Sequence, residues 1–166
     1  MNDRSSRWLI DDAVEESKSS APEWFERAMA DTPRSHRIKV DGCDIHYLSW
    51  GPETSERPGL LFVHGGGAHA QWWSFIAPFF AEDRPVAAID LSGMGESGRR
   101  DEYTNTLRVA EMAAVIADAG LGAKPVVVGH SFGGNMTNGA MICPRILFNS
   151  HLDNHFGLFA VDRDRK

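Results

Sequence analysis

The stretch Val126-Val127-Val128-Gly129-His130-Ser131-Phe132-Gly133 most narrows what this chain can fold into. Three valines in a row read as a strand buried on both faces, and such strands belong to parallel sheets covered by helices. The residues from Gly129 to Gly133 fit G-x-S-x-G, a strand-to-helix corner too tight for a side chain two residues either side of the serine. A corner of that shape strains the serine backbone and sets its hydroxyl above the sheet. The pentapeptide alone is a weak signal. Here a buried strand precedes it and a helical stretch follows, ending near Cys143-Pro144, so the context that the motif requires is present.

The same plan of apolar strand, glycine-bearing turn and helix occurs twice earlier. Gly59–Val63 runs into His64-Gly65-Gly66-Gly67 and a helical stretch from about Ala70 to Ala81, which Pro78 should kink or restart. Within it Trp72, Trp73, Phe75, Phe79 and Phe80 form an aromatic stripe expected to pack in the core. Pro85–Ile89 runs into Asp90-Leu91-Ser92-Gly93-Met94-Gly95 and a helix from about Thr106 to Ala119. Leu107, Ala110, Ala114 and Ala117 share its apolar face, and Gly120 stops it. Strand-helix alternation predicts an α/β fold, a mostly parallel doubly wound sheet with its ligand site at the carboxyl ends of the strands. All three glycine-rich turns lie at that end.

What precedes these units differs. Arg37–Val40 and Asp44–Trp50 alternate in polarity around Asp41-Gly42, the signature of an antiparallel hairpin. Residues 1–35 are a polar lead. Ser20-Ala21-Pro22-Glu23 fits a capping box, and Trp24, Phe25, Ala28 and Met29 fall on one face of a short helix. The expected organisation is that lead followed by one α/β domain over 36–166.

A net charge of −6 argues against a nucleic-acid surface, because phosphate contacts need clustered Lys and Arg. Arg99-Arg100 and the terminal Arg163-Asp164-Arg165-Lys166 read as solvated loop and tail charges. No apolar run approaches the roughly 20 residues of a membrane span, and the polar, acidic N-terminus is unlike a secretory signal. Cys43 and Cys143 suggest neither a disulfide framework nor a metal site. The expectation is a cytoplasmic protein with no cofactor and no metal.

A serine that attacks an acyl group needs N–H donors aimed at the developing oxyanion, each contributing about 10²–10³ in rate. The backbone N–H after the serine, that of Phe132, is one candidate; the glycine loop after the earlier strand offers another, at Gly66. The segments HGGGAHAQWW, DLSGMGESGRR and VVVGHSFGG together resemble the α/β-hydrolase superfamily, in the branch with an HG-type oxyanion loop, over about Arg37 to Met141. The resemblance implies Ser131 as nucleophile, Gly66 and Phe132 as oxyanion donors, and a small-molecule acyl substrate, most simply a carboxylic ester. Serine in place of aspartate at the elbow points away from the aspartate-using dehalogenases and epoxide hydrolases.

Rival readings exist for several of these residues. Gly65-Gly66-Gly67-Ala68-His69-Ala70 also fits G-x-G-x-x-A after a strand, with Asp90 about 20 residues on, which is the dinucleotide-binding fingerprint; it leaves the serine corner unexplained. Asp90–Gly98 lacks the G-K-[ST] of a phosphate loop and reads as a structural turn. His64 and His130 read as orienting or packing residues, and His69 as an exposed residue at the mouth.

A serine hydroxyl becomes a nucleophile only when a base takes its proton and a carboxylate orients that base. In the family the order is serine, acid, histidine. After Ser131 stand His151, His155, Asp153, Asp162 and Asp164. Gly157–Asp162 reads as a further apolar strand ending in an acid, so Asp162 is the candidate acid; His151 and His155 precede it and break the order. The stretch from Asn138 to Asp153 fits the family less well, either as an insertion or as a changed reading frame. The resemblance therefore leads us to expect an incomplete domain, weak in turnover. The alternative is a non-catalytic fragment that associates through an exposed sheet edge.

Overall fold

The structure is a computed structural model and describes residues 21–139 and 158–159. Those residues build one mixed sheet with the strand order β1-β2-β4-β3-β5-β6. Strands β1 (Arg34–Val40) and β2 (Cys43–Trp50) form the expected hairpin, begun three residues earlier than the alternation suggested. Its two-residue turn has φ +45° at Asp41 and +79° at Gly42. Left-handed conformations at both positions match the twist of the two strands.

β3 (Leu60–Val63), β4 (Val86–Ile89) and β5 (Val126–His130) form the parallel centre, with β3 between the other two. Their continuous apolar runs are explained by layers on both sides. Leu61, Val63, Ala87, Ile89 and Val127 face Met112, Val115 and Met136, carried by helices α2 (Asn105–Asp118) and α3 (Phe132–Gly139). Leu60, Phe62, Val86, Ala88 and Val128 face Ala70, Trp73, Ala77 and Ala81. Each fully buried aliphatic side chain contributes about 1.5–3 kcal/mol, so these two clusters hold the strands in place.

The layer over that second face is not the helix expected over 70–81. Two short 3-10 turns, Ala70–Trp73 and Ala77–Phe80, stand there instead. Pro78 cannot donate a backbone hydrogen bond and restrains the residue before it, which breaks the helical run. The aromatic stripe consequently divides. Trp73 is buried and stacks on Phe62 with ring centroids 4.7 Å apart, whereas Trp72, Phe79 and Phe80 are exposed.

Helix α1 (Glu23–Ala30) leans on this layer through Trp24 against Phe79 and Phe25 against Phe75. Of its expected apolar face only Ala28 is buried; Trp24 and Met29 are exposed, and Pro22 occupies the N-cap without a side-chain cap bond. Ser20 lies outside the described residues.

Helix α2 begins one residue before its expected start. Thr104 caps it, accepting the Leu107 N–H, and Gly120 ends it at φ +63°. Its buried stripe is Glu111, Met112 and Val115, with Ala110 and Ala114 at the margin and Ala117 exposed. Ala110 and Ala114 pack against the core as expected, whereas Ala117 faces away from it and the carboxylate of Glu111 takes a core position. Among the described residues β6 is Leu158–Phe159, which runs antiparallel to Gly129–His130 where a further parallel strand was expected. Asp162, His151, His155, Asp153, the 140–157 segment and the expected helix end near Cys143-Pro144 lie outside the described residues.

Candidate active site

The corner after β5 is built by exclusion. Ser131 adopts φ +51°, a left-handed conformation that costs a non-glycine residue about 1–3 kcal/mol. A Cβ on Gly129 would lie 2.6 Å from the backbone of Gly133 and Gly134; one on Gly133 would lie 2.6 Å from the His64 carbonyl oxygen and also overlap that of Val63. The two flanking glycines thus let β5, α3 and the end of β3 touch backbone to backbone, and that contact holds Ser131 in its strained turn. The Ser131 residue is exposed. Its carbonyl accepts the Asn135 N–H, so the Phe132 N–H belongs to the first turn of α3, where backbone donors have no intrahelical acceptor.

The loop after β3 closes against this corner. Ala68 N–H bonds to the Gly65 carbonyl, and Gly67 has φ +72°, the arrangement of a type II turn. The turn bond uses the Ala68 donor and not that of Gly66. A Cβ on Gly66 would lie 3.6 Å from Cβ of Phe132, so the two residues expected to supply oxyanion donors are neighbours.

His64 fixes the loop's orientation. Its Nδ1 is 2.7 Å from the Gly65 carbonyl, and its Nε2 is 3.2 Å from the Leu91 backbone nitrogen. A carbonyl only accepts and a backbone N–H only donates, so Nδ1 carries the proton and Nε2 accepts. Burial pushes the ring's pKa below its ordinary value, favouring this neutral tautomer; the Gly65 carbonyl and Asp90 oppose the shift less strongly. His64 is thereby an orienting group and has no nitrogen left to act as a base. His130 packs beneath the same loop, edge-on to Trp72 at 4.7 Å, with its Nδ1 buried and unbonded among the described residues.

The corner after β4 is tied down more heavily. The buried Asp90 carboxylate accepts from His46 Nδ1 at 2.7 Å, the Ala70 N–H at 2.6 Å and the Glu96 N–H at 3.0 Å. A ribose hydroxyl would find this carboxylate already engaged, and the glycine loop leads into a four-residue 3-10 turn and not a helix. The dinucleotide fingerprint is therefore put to another use.

Arg100 corrects the reading of Arg99-Arg100 as solvated charge. Its side chain is only 8% exposed, donates to the buried Glu111 at 3.0 Å, and reaches the Val40 and Asp41 carbonyls at 2.7 and 3.0 Å. Glu111 in turn accepts the Ser92 N–H. A buried carboxylate requires such compensation.

Neither this pair nor His46 was singled out from the sequence. The only available signals were a glutamate inside an apolar helix stripe and a histidine inside an apolar strand. Among the described residues no group of three His, Cys, Asp or Glu side chains is placed to hold a metal, and no helix is long and apolar enough to cross a membrane.

Known proteins are similar to this chain. Lipase LipV of Mycobacterium tuberculosis is 38% identical over 91 residues, covering 55% of this chain and 33% of the lipase. Esterase Rv0045c of the same organism is 33% identical over 111 residues, covering 66% of this chain and 35% of the esterase. Among solved structures, the 2-hydroxy-6-oxo-6-phenylhexa-2,4-dienoate hydrolase of Rhodococcus sp. strain RHA1 is 29% identical with a TM-score of 0.60, over 69% of this chain and 43% of that one. The chain thus spans about a third of the length of the curated relatives it matches. The model of the alpha/beta hydrolase family matches residues 60–164, from β3 through the serine corner and beyond, and the chain belongs to that family.

Proposed function

We propose that this chain carries the nucleophile and oxyanion side of a serine-dependent hydrolase acting on a carboxylic ester or related small acyl substrate. Ser131 Oγ attacks the acyl carbon while its proton passes to a base. The oxyanion forms against the Phe132 and Gly66 N–H groups, the alcohol leaves with a proton, and water later releases the acid from the acyl-enzyme.

The observation that carries this reading is the left-handed φ of Ser131 between two glycines that have no room for a Cβ. Strain retained at an exposed serine, beside a glycine loop, fits an acyl-transfer nucleophile better than a packing role. The lipase and esterase relatives support the same substrate class.

The base belongs to the part of the reading that this chain fills least. The rings of His36, His46 and His64 are bonded elsewhere. Asp162 is the acid candidate in the proposal, and we expect slow turnover from this chain alone.

The test is labelling of the purified chain with a fluorophosphonate probe, located by peptide mapping, beside a Ser131→Ala variant. An adduct on Ser131 in the parent supports the reading. A folded parent chain that carries no adduct on Ser131 and hydrolyses no ester at a rate sensitive to Ser131→Ala refutes it.

A further inference from the structure

A hydrogen-bonded serine, histidine and aspartate stand away from the elbow. Ser35 Oγ on β1 is 2.9 Å from His46 Nε2 on β2, and His46 Nδ1 is 2.7 Å from Asp90 Oδ2 at the end of β4. The three come from separate strands brought together by the β1-β2-β4 order, with Tyr47 paired to Ile89 and His46 to Arg37.

The direction of the protons follows from the partners. Asp90 already accepts two backbone N–H groups, so it acts as an acceptor toward His46 as well, and Nδ1 donates. In the neutral ring Nε2 is then the acceptor, and the Ser35 hydroxyl donates to it. That is the bonding order that activates a nucleophilic serine. His46 and Asp90 are buried, at 3% and 2% exposure, while Ser35 is exposed, so the base is shielded and the hydroxyl is open to solvent.

A neighbouring pair shows that the arrangement is not a general property of the hairpin. His36 Nε2 lies 2.8 Å from Ser49 Oγ, but Ser49 is buried and the His36 ring stacks on Tyr47 at 4.6 Å, without a carboxylate on its other nitrogen among the described residues.

We infer that Ser35 is a second nucleophile of this chain, with His46 as its base and Asp90 as the carboxylate that orients the base. Its substrates are activated acyl and phosphonyl electrophiles. As Ser35 Oγ bonds to the carbonyl carbon or phosphorus, its proton moves to His46 Nε2. The leaving group departs with the electron pair of its broken bond; an alkoxide takes the proton back from His46, whereas with fluoride the proton passes to solvent. Ser35 sits within a paired strand and not at a helix start, so the first-turn donors open to Ser131 have no counterpart on its own element, and each such donor contributes about 10²–10³ in rate. Ser35 therefore forms adducts slowly and stoichiometrically and does not sustain turnover.

The experiment uses the full chain with Ser131→Ala, folded by its circular dichroism, treated with a fluorophosphonate and mapped by peptide mass. The expected result is one adduct on Ser35 that disappears in Ser131→Ala/Ser35→Ala. A companion measurement needs no oxyanion donor: Ser35→Cys should react with iodoacetamide about ten-fold or more faster than Ser55→Cys, because a neighbouring imidazole raises the thiolate fraction. Ser55 is exposed and bonded to backbone, without an imidazole partner. Mapping at residues 35 and 55 excludes the native Cys43 and Cys143.

A folded Ser131→Ala chain with no adduct on Ser35, adducts only on other residues, or a Ser35→Cys thiol no faster than Ser55→Cys overturns the inference. The elbow reading stands or falls separately, on an adduct at Ser131 in the Ser35→Ala chain.

Discussion

The corners after β4 and after β5 follow one plan in the sequence, strand then glycine-rich turn then helix, yet they end in opposite chemical states. After β4 most of the polar groups are paired, the buried Ser92 hydroxyl being an exception among the described residues. The Asp90 carboxylate takes three donors, its carbonyl takes the Ser97 hydroxyl, Ser92 N–H goes to Glu111, and Gly93 N–H goes to the Gly98 carbonyl. After β5 the strained Ser131 stays exposed, and the Phe132 N–H opens a helix without an intrahelical acceptor. Saturated polar groups rigidify; unspent ones can bind a reacting atom. The glycines alone do not distinguish the two corners, because both need them for close approach: Gly95 passes against the Asp90 carboxylate just as Gly133 passes against β3.

This comparison can be broken most forcefully at Glu111. Replacing it with Ala leaves Arg100 buried without its countercharge and Ser92 N–H without its acceptor, and should cost about 3–5 kcal/mol in denaturant unfolding. A cost below about 1 kcal/mol would mean that the β4 corner is not held by this network. Next, Gly133→Ala forces a methyl group into the carbonyls of Val63 and His64 and should destabilise by about 1–3 kcal/mol, with any reactivity of Ser131 lost in the same variant. Retained reactivity would show that the serine does not need the backbone contact with β3.

A finer test separates strain from chemistry. Ser131→Gly and Ser131→Ala both remove the hydroxyl, but only glycine is relaxed at φ +51°, so the glycine variant should be the more stable by about 1 kcal/mol. Equal stabilities would argue that the corner stores no strain.

The smallest effect is expected at His64, whose burial depresses its pKa in the folded chain. The unfolded chain then binds the proton more readily, so this contribution is fully present above the ordinary histidine value and is lost as pH falls through the depressed folded value. Lowering pH from about 7.5 toward 5.5 should destabilise the parent more than a His64→Asn chain. Parallel slopes for the two would remove His64 as the proton-sensitive contact of the glycine loop.

What the residues disclosed before folding divides along physical lines. The hairpin was legible because Asp41-Gly42 fixes a turn by local φ preferences, and the serine corner because G-x-S-x-G after a valine run is a local steric requirement. The 70–81 segment misled because aromatic spacing resembled a helix while Pro78 opposed one, and sequence spacing does not say which influence prevails. Arg100 read as solvated and His46 did not stand out for a different reason. Their partners lie 11 and 44 residues away, and an alternating strand puts its polar positions toward water unless a second layer covers them. β2 is covered on both faces, since all of its residues except Asp44 are buried. The roles given to Ser131, Gly66, Phe132 and Asp162 remain proposals that rest on the family pattern and the corner's geometry.

The backbone contact between Gly133 and the end of β3 also bears on how such a corner could be moved between proteins. Transplanting the five residues from Gly129 to Gly133 onto another strand would carry the motif without the carbonyls of Val63 and His64 that press upon it. The smallest portable unit is a pair of adjacent parallel strands with the ends of both, residues 60–67 and 126–137. A recipient scaffold would have to present β3 and β5 at the register observed here, Val63 opposite Gly129, before the grafted serine could take up its turn.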